Sequence, residues 1–481
     1  MITWGITALT HDASISVIRD NEILFAAHAE RYSKSKNDPN LNEAIIQAAR
    51  EYGSPDLVVW FENRWLKKWR QFKHLQWREL LNLSRWPHRY LKTFGIHQDV
   101  TCVKHHLSHA ASGFLTSPYQ NATILCIDSL GEENTVTMWR GSGANIEPLF
   151  EINYPTSLGL LYSAFTKRIG LKPNEEEYIL MGMAAYGEPI HADQIENDFF
   201  KDGLFSMKRN CIKGIGHYLP SAYPENLAAS IQLVTERVLE KLLIKAKALN
   251  SSENLIYSGG VALNCVANRL LLRHFKNVWI MPNPGDAGSS LGAAAYATRT
   301  RLRWRGPYLG TNIEGEYPVD QIVDELLKSK IVGVANGRAE FGPRALGNRS
   351  LFADPRGIAI KDRVNKIKQR QAFRPFAPVI MEEHARSYFE MPLQSSPYMQ
   401  YTMDCLEPLQ YPAICHFDNT SRVQTVTLDQ HPGLYNLLEV FYAKTGCPML
   451  LNTSLNVKGM PLVDTKDDAL KFKQTYGVEV L

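Results

Sequence analysis

Short apolar runs that close on glycine or aspartate and lead into helical stretches recur along this chain, and that alternation limits its fold more than any other feature. Leu255–Tyr257 reads as a strand ending at Gly259-Gly260. Asn277–Met281 reads as another, running into Pro282-Asn283-Pro284-Gly285-Asp286 and then an alanine-rich helix from Gly288. Ala122–Asp128 has the composition of a fully buried strand, and Ala228–Leu249 carries apolar residues at helical spacing over the longest such stretch. Strands alternating with helices define an α/β protein. Residues 1–25 read as a β-hairpin with its turn at Arg19–Glu22, and Leu41–Tyr52 as a helix. The stretch 300–315 is basic and punctuated by Gly306, Pro307 and Gly310. It predicts a first domain over 1–305, a linker over 306–315 and a second domain over 316–481. In the second domain the alternation restarts with a strand at Ile331–Ala335, a helix at Lys361–Arg370 and a strand at Met449–Leu451. No internal sequence repeat is visible.

No apolar run approaches the roughly 20 residues that span a bilayer, and the first residues lack the basic-then-apolar pattern of a signal peptide. Seven scattered cysteines without a C-x-x-C pair point away from a disulfide framework or a cysteine zinc site. A cytoplasmic location without membrane partners is expected.

In the first domain the densest chemistry is His105-His106-Leu107-Ser108-His109. On a helix, His105 and His109 share a face, the spacing by which one helix offers two imidazoles to one metal; histidines of a core or surface are the plain alternative. Asp128 closes an apolar strand, where a carboxylate is costly unless paired or bound to a cation. Asp286 sits in a Gly/Pro loop after another strand, and strand C-termini are where α/β sites lie. Two histidines and two aspartates make a mixed N/O set suited to Fe(II), Mn(II) or Zn(II), with no choice among them. Gly259 and Gly260, followed by Asn264, permit close approach of backbone to a ligand such as a phosphate, or form only a tight turn. His11, in His11-Asp12-Ala13-Ser14, is a candidate general base for an alcohol, or an ordinary loop histidine.

In the second domain, Gly337–Ser350 packs Arg338, Arg344 and Arg349 among glycines within fourteen residues. The planar guanidinium fork suits phosphate oxygens, and glycines let backbone reach a small anion. Lys368 and Arg370 are two residues apart, so a helix would present them to one ligand only at its end. Arg422 and the hydroxyl- and amide-rich run Asn452–Asn456, with Ser454 and Asn456, add a cation and neutral donors. An acyl phosphate together with ATP would use such a set, because two anions must be neutralised before they meet.

Taken in order, His11–Ser14, Glu30-Arg31-Tyr32-Ser33, His105–Ala110, Gly260–Asn264, Asp286–Gly288, Gly342–Gly347, Arg374–Pro378 and Asn452–Ser454 resemble the landmarks of the NodU/CmcH-type carbamoyltransferases of nodulation factors and antibiotics, over nearly the whole chain. The resemblance implies an actin-like (ASKHA) N-terminal domain followed by a YrdC-like α/β domain. It implies that the second domain makes carbamoyl-adenylate from carbamoyl phosphate and ATP, with Mg(II) as the nucleotide's counter-ion, and that the first transfers carbamoyl to an alcohol. Arg344, Lys368, Arg422 and Ser454 are then expected to hold carbamoyl phosphate. Lys368, Arg370, Ser454 and Asn456 match the K-x-R and S-x-N elements of the nucleotide site. His105, His109, Asp128 and Asp286 look like ligands of Fe(II) or another divalent metal. Gln371 stands where the family has an acid, Asn37-Asp38 replaces a more basic segment, and the end at Leu481 predicts that an acceptor-binding or closing tail is missing. Two other activities share parts of the pattern: threonylcarbamoyl transfer to tRNA, against which the Gly342–Gly347 block argues, and a non-enzymatic actin-like nucleotide-binding module.

The acceptor is left open among sugars, natural products and hydroxymethyl-pyrimidine nucleotides or DNA. The net charge of +4 hides one uneven region: residues 60–104 hold ten Lys/Arg against three Asp/Glu, and five of the nine tryptophans. Cations for phosphates and aromatic faces for bases make nucleic acid a candidate partner there. A helical insertion with core tryptophans and solvated Lys/Arg explains the same composition and is the preferred reading.

Overall fold

β1 (Ile2–Thr7) is buried on both faces after its first residue, as an uninterrupted run of this kind requires of a central strand. It pairs antiparallel with β2 (Ser14–Arg19), and β2 with β3 (Glu22–His28), so the expected hairpin is a three-strand meander. On its other side β1 runs parallel to β4 (Leu57–Trp60), and β4 to β5 (Val100–Cys102). A parallel neighbour needs a crossover. The helix Glu43–Arg50 supplies it, capped by Asn42, whose side chain accepts the Ile45 N–H at 3.1 Å. The computed structural model describes residues 1–73, 86–201 and 203–481.

A second sheet repeats this plan. β6 (Asn121–Ile127), β7 (Asn134–Ser142) and β8 (Asn145–Asn153) form an antiparallel meander. β9 (Asn254–Ser258) lies parallel to β6, and β10 (Asn277–Trp279) parallel to β9. The orders β3-β2-β1-β4-β5 and β8-β7-β6-β9-β10 are therefore the same topology twice. The repeat is absent from the sequence because topology needs only the same succession of apolar strands and crossovers, which many residue choices satisfy. The crossover to β9 includes the helix Pro224–Leu249, opened by proline at its first position. The helices His105–Thr116 and Ser289–Ala297 pack so closely that a Cβ at Gly292 would lie 2.0 Å from the Ser108 carbonyl oxygen.

The chain divides into two compact units, one of Met1–Ala29 and Asn37–Trp304, the other of Glu30–Lys36 and Arg305–Leu481. The second is built on a five-stranded sheet of order β12-β14-β19-β15-β18, with β12 (Ile331–Ala335), β14 (Arg349–Ala353), β15 (Ala377–Met381), β18 (Gln424–Val426) and β19 (Met449–Ser454). The linker expected over 306–315 is instead a strand, β11 (Tyr308–Ile313), paired antiparallel with β13 (Gly337–Glu340). Glycine and proline punctuate this stretch, but Tyr308 and Leu309 give it enough apolar surface to fold. β16 (Met403–Asp404) and β17 (Thr420–Ser421) form a small ribbon. Among the described residues no helix is long and apolar enough to cross a membrane.

The tryptophan-rich segment departs from the preferred expectation in its first helix. Trp60 is core, but in the helix Arg64–Lys73 the cations Arg64 and Arg70 are buried, while Trp65 and Trp69 are 72 % and 54 % exposed. Arg64 and Lys67 turn inward because Glu62 is buried there, at 2.9 Å from each. Arg70 donates to the Gly131 carbonyl oxygen at 2.9 Å. Residues 74–85, with Trp77, lie outside the described residues.

Candidate active sites of the two units

In the first unit, β6 and β9 end side by side, with Asp128 just beyond one and Gly259-Gly260 just beyond the other. Gly259 has φ +90°, and a Cβ there would meet the Ile127 carbonyl oxygen at 2.2 Å, so only glycine closes this junction. The Gly260 amide donates to Asp128 Oδ1 at 3.1 Å, and that of Gly259 to the Pro284 carbonyl oxygen at 2.9 Å. Asn264 exchanges hydrogen bonds with Gln232 and accepts from the Ala267 amide. These three residues, expected as a phosphate cradle, make their hydrogen bonds within the fold. The glycine pair positions a carboxylate.

Four side chains meet where Asp128 points. His105 Nε2 lies 3.0 Å from Asp128 Oδ2 and 3.4 Å from Asp286 Oδ1. His109 Nε2 lies 3.3 Å from Asp286 Oδ1 and 3.8 Å from Asp128 Oδ2. The two Nε2 atoms face each other at 3.1 Å. All four residues are buried, and one ligand atom from each falls within 4.8 Å of the others. His109 Nδ1 bonds Ser289 Oγ at 3.1 Å, which orients the ring and leaves Nε2 for the cluster. His105 is held through its backbone: its amide donates to Glu132, whose carboxylate also accepts the Asn63 amide. A buried carboxylate thus caps the helix that carries both imidazoles. Thr7 and Ser14 donate to the carbonyl oxygens of Asp286 and Ala287, tying that turn to β1 and β2. Glu132 and Ser289 carry no sequence signature, because their roles arise only from contacts with distant residues.

The electrostatics of this cluster demand positive charge. Burial alone would raise the carboxyls of Asp286 and Asp128, yet the neighbouring imidazoles hold both well below the usual range. Burial would lower His105, but Asp286 and Asp128 push it well above its ordinary value. A proton or a divalent cation can meet the same demand, and two imidazole nitrogens with two carboxylate oxygens fit a divalent cation. His106, the third histidine of the motif, turns away to Thr137 Oγ1 at 3.0 Å and is lowered to about 3, first by burial and then by the charge of His105. His11 stands beside the cluster, 3.7 Å from Asp286 and 3.0 Å from Asp12. Desolvation opposes its charged form, but Asp286 and Asp12 outweigh it and push the imidazole up to about 10.

In the second unit the arginine loop is clamped at nearly every residue. Glu340 Oε1 accepts the amides of Leu346, Asn348 and Arg349 at 2.7, 3.0 and 3.3 Å. The Ala345 carbonyl oxygen accepts from Asn452, that of Leu346 from Tyr308 and Gln424, and that of Gly347 from Tyr317. Arg349 is fully buried and spends its guanidinium on the carbonyl oxygens of Thr311, Asn336, Gly337, Asn348 and Asp464. Arg338 likewise donates to the carbonyl oxygens of Leu309 and Gly310. Arg344 lies half-buried on the clamped loop.

Pairing of Ser350 with Ser454 brings the end of that loop beside β19. Lys368 follows directly on the helix Ile358–Ile367, at the helix end that its spacing to Arg370 required. Its buried ammonium donates to Ser454 O and Oγ and to Asn456 O and Oδ1. Burial, then the charges of Arg370, Arg374 and Lys36, press it well below its ordinary value. Arg370 donates to Asn365 Oδ1 and the Pro375 carbonyl oxygen, with its guanidinium over the Phe376 ring. Arg422 is half-buried two residues before Gln424, and its buried Nε has no hydrogen-bond partner among the described residues.

A buried cation-seeking cluster in one unit and a clamped cationic loop in the other define a two-site α/β protein, and comparison with known proteins supplies its class. Residues 62–295 match the carbamoyltransferase N-terminus and residues 323–481 the carbamoyltransferase C-terminus. The chain is 37 % identical to the uncharacterized protein sll1178 of Synechocystis, over 97 % of this chain and 93 % of that protein. It is 31 % identical to the nodulation protein NolNO of Sinorhizobium fredii, over 96 % and 76 %. It is 27 % identical to the 3'-hydroxymethylcephem-O-carbamoyltransferase of Amycolatopsis lactamdurans, over 97 % and 95 %. The chain belongs to the carbamoyltransferase family and is an O-carbamoyltransferase. Among solved structures, full-length HypF in its phosphate- and nucleotide-bound form aligns over 62 % of this chain and 55 % of that one, at 13 % identity and a TM-score of 0.37.

Proposed function

We propose that the second unit makes carbamoyl-adenylate from carbamoyl phosphate and ATP, and that the first unit transfers its carbamoyl group to an alcohol. On this reading the second unit is YrdC-like, supported by the meeting of Lys368 with Ser454 and Asn456. The first is actin-like, supported by its twice-repeated sheet topology. The observation that carries the reading is the convergence of buried basic side chains in the second unit. Arg349 and Lys368 donate hydrogen bonds to carbonyl, amide and hydroxyl oxygens, while Glu340 and Asp464 act on Arg349 electrostatically. Such a site favours phosphoryl oxygens and charge that develops between them.

Water hydrolyses carbamoyl phosphate to carbamate and orthophosphate, and a carbamate oxygen then attacks the α-phosphorus of ATP and displaces pyrophosphate. Arg344, Arg422, Lys368 and Ser454 bind the donor; Arg370 and Asn456 complete the nucleotide side, with Mg(II) on the triphosphate. In the first unit His105, His109, Asp128 and Asp286 would hold a divalent cation, Fe(II) by family, which supplies Lewis-acid polarisation of the carbamoyl carbonyl. His11 takes the proton of the attacking hydroxyl. A cation in the cluster would offset the pull of Asp286, 3.7 Å away, on the His11 proton. The acceptor is a sugar, a natural product or a hydroxymethyl-pyrimidine nucleotide.

Pyrophosphate release from carbamoyl phosphate and ATP, run against a panel of such acceptors with carbamate products identified by mass, tests the reading. No release with any acceptor overturns it. His11→Asn supplied with preformed carbamoyl-adenylate isolates the base, and undiminished transfer rejects that role.

A further inference from the structure

One segment of the N-terminal third of the chain belongs to the second unit. Residues 30–36 fold with 305–481, while the residues on either side of them fold with the first unit. Tyr32 Oη bonds Thr311 Oγ1 at 2.8 Å, and Lys34 pairs with Asp468 and also donates to the Arg31 carbonyl oxygen. Arg31 is thereby tethered on its C-terminal side.

Arg31 is 2 % exposed. Its Nη2 donates to the Gly342 carbonyl oxygen at 2.9 Å, two residues before Arg344 on the clamped loop. Its Nε and Nη1 are buried and have no hydrogen-bond partner among the described residues. A guanidinium carries five N–H donors in a rigid fork, and burying them unpaired is unfavourable. The charge of Arg31 also bears on Arg349, whose own protons are spent on carbonyl oxygens. On the same segment Lys36 acts electrostatically on Lys368. Two buried guanidinium faces of like charge, one with open donors, are stabilised together by an anion with several acceptor oxygens.

We propose that Arg31 is a ligand of the phosphate group of the carbamoyl donor, so that residues 30–36 complete the activating site of the second unit. The inference rests on the carbamoyl-adenylate reading for the identity of the anion. Its bond to Gly342, on the loop that carries Arg344, assigns Arg31 to carbamoyl phosphate and not to ATP.

The test uses the full chain, as wild type, Arg31→Lys and Arg31→Met. Orthophosphate and carbamoyl phosphate should each raise the melting temperature of the wild type by several degrees, and that of Arg31→Met by much less. In pyrophosphate release, Arg31→Met should raise the KM for carbamoyl phosphate at least ~10-fold, as loss of a charge-assisted fork does, with the KM for ATP within about twofold. Arg31→Lys, which keeps the charge and the tether, should fall between and covers the case in which the methionine variant does not fold. Equal phosphate shifts in all three proteins, or an unchanged KM for carbamoyl phosphate in a folded variant, overturn the assignment. A rise confined to the KM for ATP overturns it too. Phosphate protection that depends on Arg31 without any pyrophosphate release by the wild type would uphold the anion contact and reject the activation chemistry.

Discussion

The first unit gathers Asp128, Asp286, His105 and His109 face to face, with imidazole–carboxylate distances of 3.0 to 3.8 Å. The second gathers Arg349, Arg338 and Lys368, which donate hydrogen bonds to carbonyl, amide and hydroxyl oxygens. Both solve the cost of burying charge, in opposite ways. Side chains of the first cluster answer one another and together call for a cation. Those of the second are basic groups held mainly by dipoles, an environment that suits an anion. Charge sign in a buried site is thus set by whether the partners are ions or dipoles.

The largest effects should separate the two sites. Asp128→Asn should cut carbamoyl transfer at least ~10²-fold, as perturbed metal centres do, and leave pyrophosphate release within about twofold. Lys368→Met should do the reverse when carbamoyl-adenylate is supplied. Assays of both half-reactions on both variants measure this, and parallel losses would dissolve the division of labour. Chelation should reproduce the Asp128→Asn pattern and added Fe(II) or Mn(II) should reverse it, with the metal content of the purified protein as a second readout.

Acid should weaken the second unit through His431. Its Nδ1 accepts the Leu434 amide and its Nε2 bonds Asn348 Oδ1 at 2.7 Å, an arrangement only a neutral ring can make. Burial lowers it to about 4. The unfolded chain takes up its proton near pH 6.5, before the folded one does. The contribution is therefore complete above pH 6.5 and is lost as pH falls towards 4, by about 3 kcal/mol. Melting temperatures between pH 7 and 5 should fall more steeply for wild type than for His431→Gln; equal slopes would show that this ring does not carry the effect.

Glu340→Gln tests the clamp. Replacing a charged acceptor of three amides should cost ~1–3 kcal/mol in urea unfolding and raise the KM for carbamoyl phosphate several-fold. A stability loss without a KM change would make Glu340 structural alone. The smallest effect belongs to Trp65 and Trp69. Being exposed, their replacement by serine should change stability by under ~0.5 kcal/mol. If this face takes nucleic acid, low-salt binding of single-stranded DNA should weaken in the double variant, whereas binding indifferent to salt removes that partner.

Much of the alternation was legible. Strands at Ala122–Asp128, Leu255–Tyr257 and Ile331–Ala335 and the helix ending at Leu249 are local patterns of apolar residues, and periodicity reports them directly. The strand hidden in 306–315 was not, because glycine and proline mark turns whether or not a partner strand stands opposite. His105 and His109 announced a shared face by their spacing. Arg31 stands in a landmark of the resemblance, but nothing local marks its contact, which lies 311 residues away.

By itself the sequence determined the α/β class, the residue types of both sites and the resemblance to carbamoyltransferases, since each is written in local pattern or motif order. Tertiary structure alone decided that the Gly260 amide holds the Asp128 carboxylate, that Trp65 and Trp69 face outward while Arg64 and Arg70 turn in, and that residues 30–36 fold with the second unit. These outcomes depend on which distant groups share a buried volume, and burial sets both the cost of a charge and the identity of the partner that relieves it.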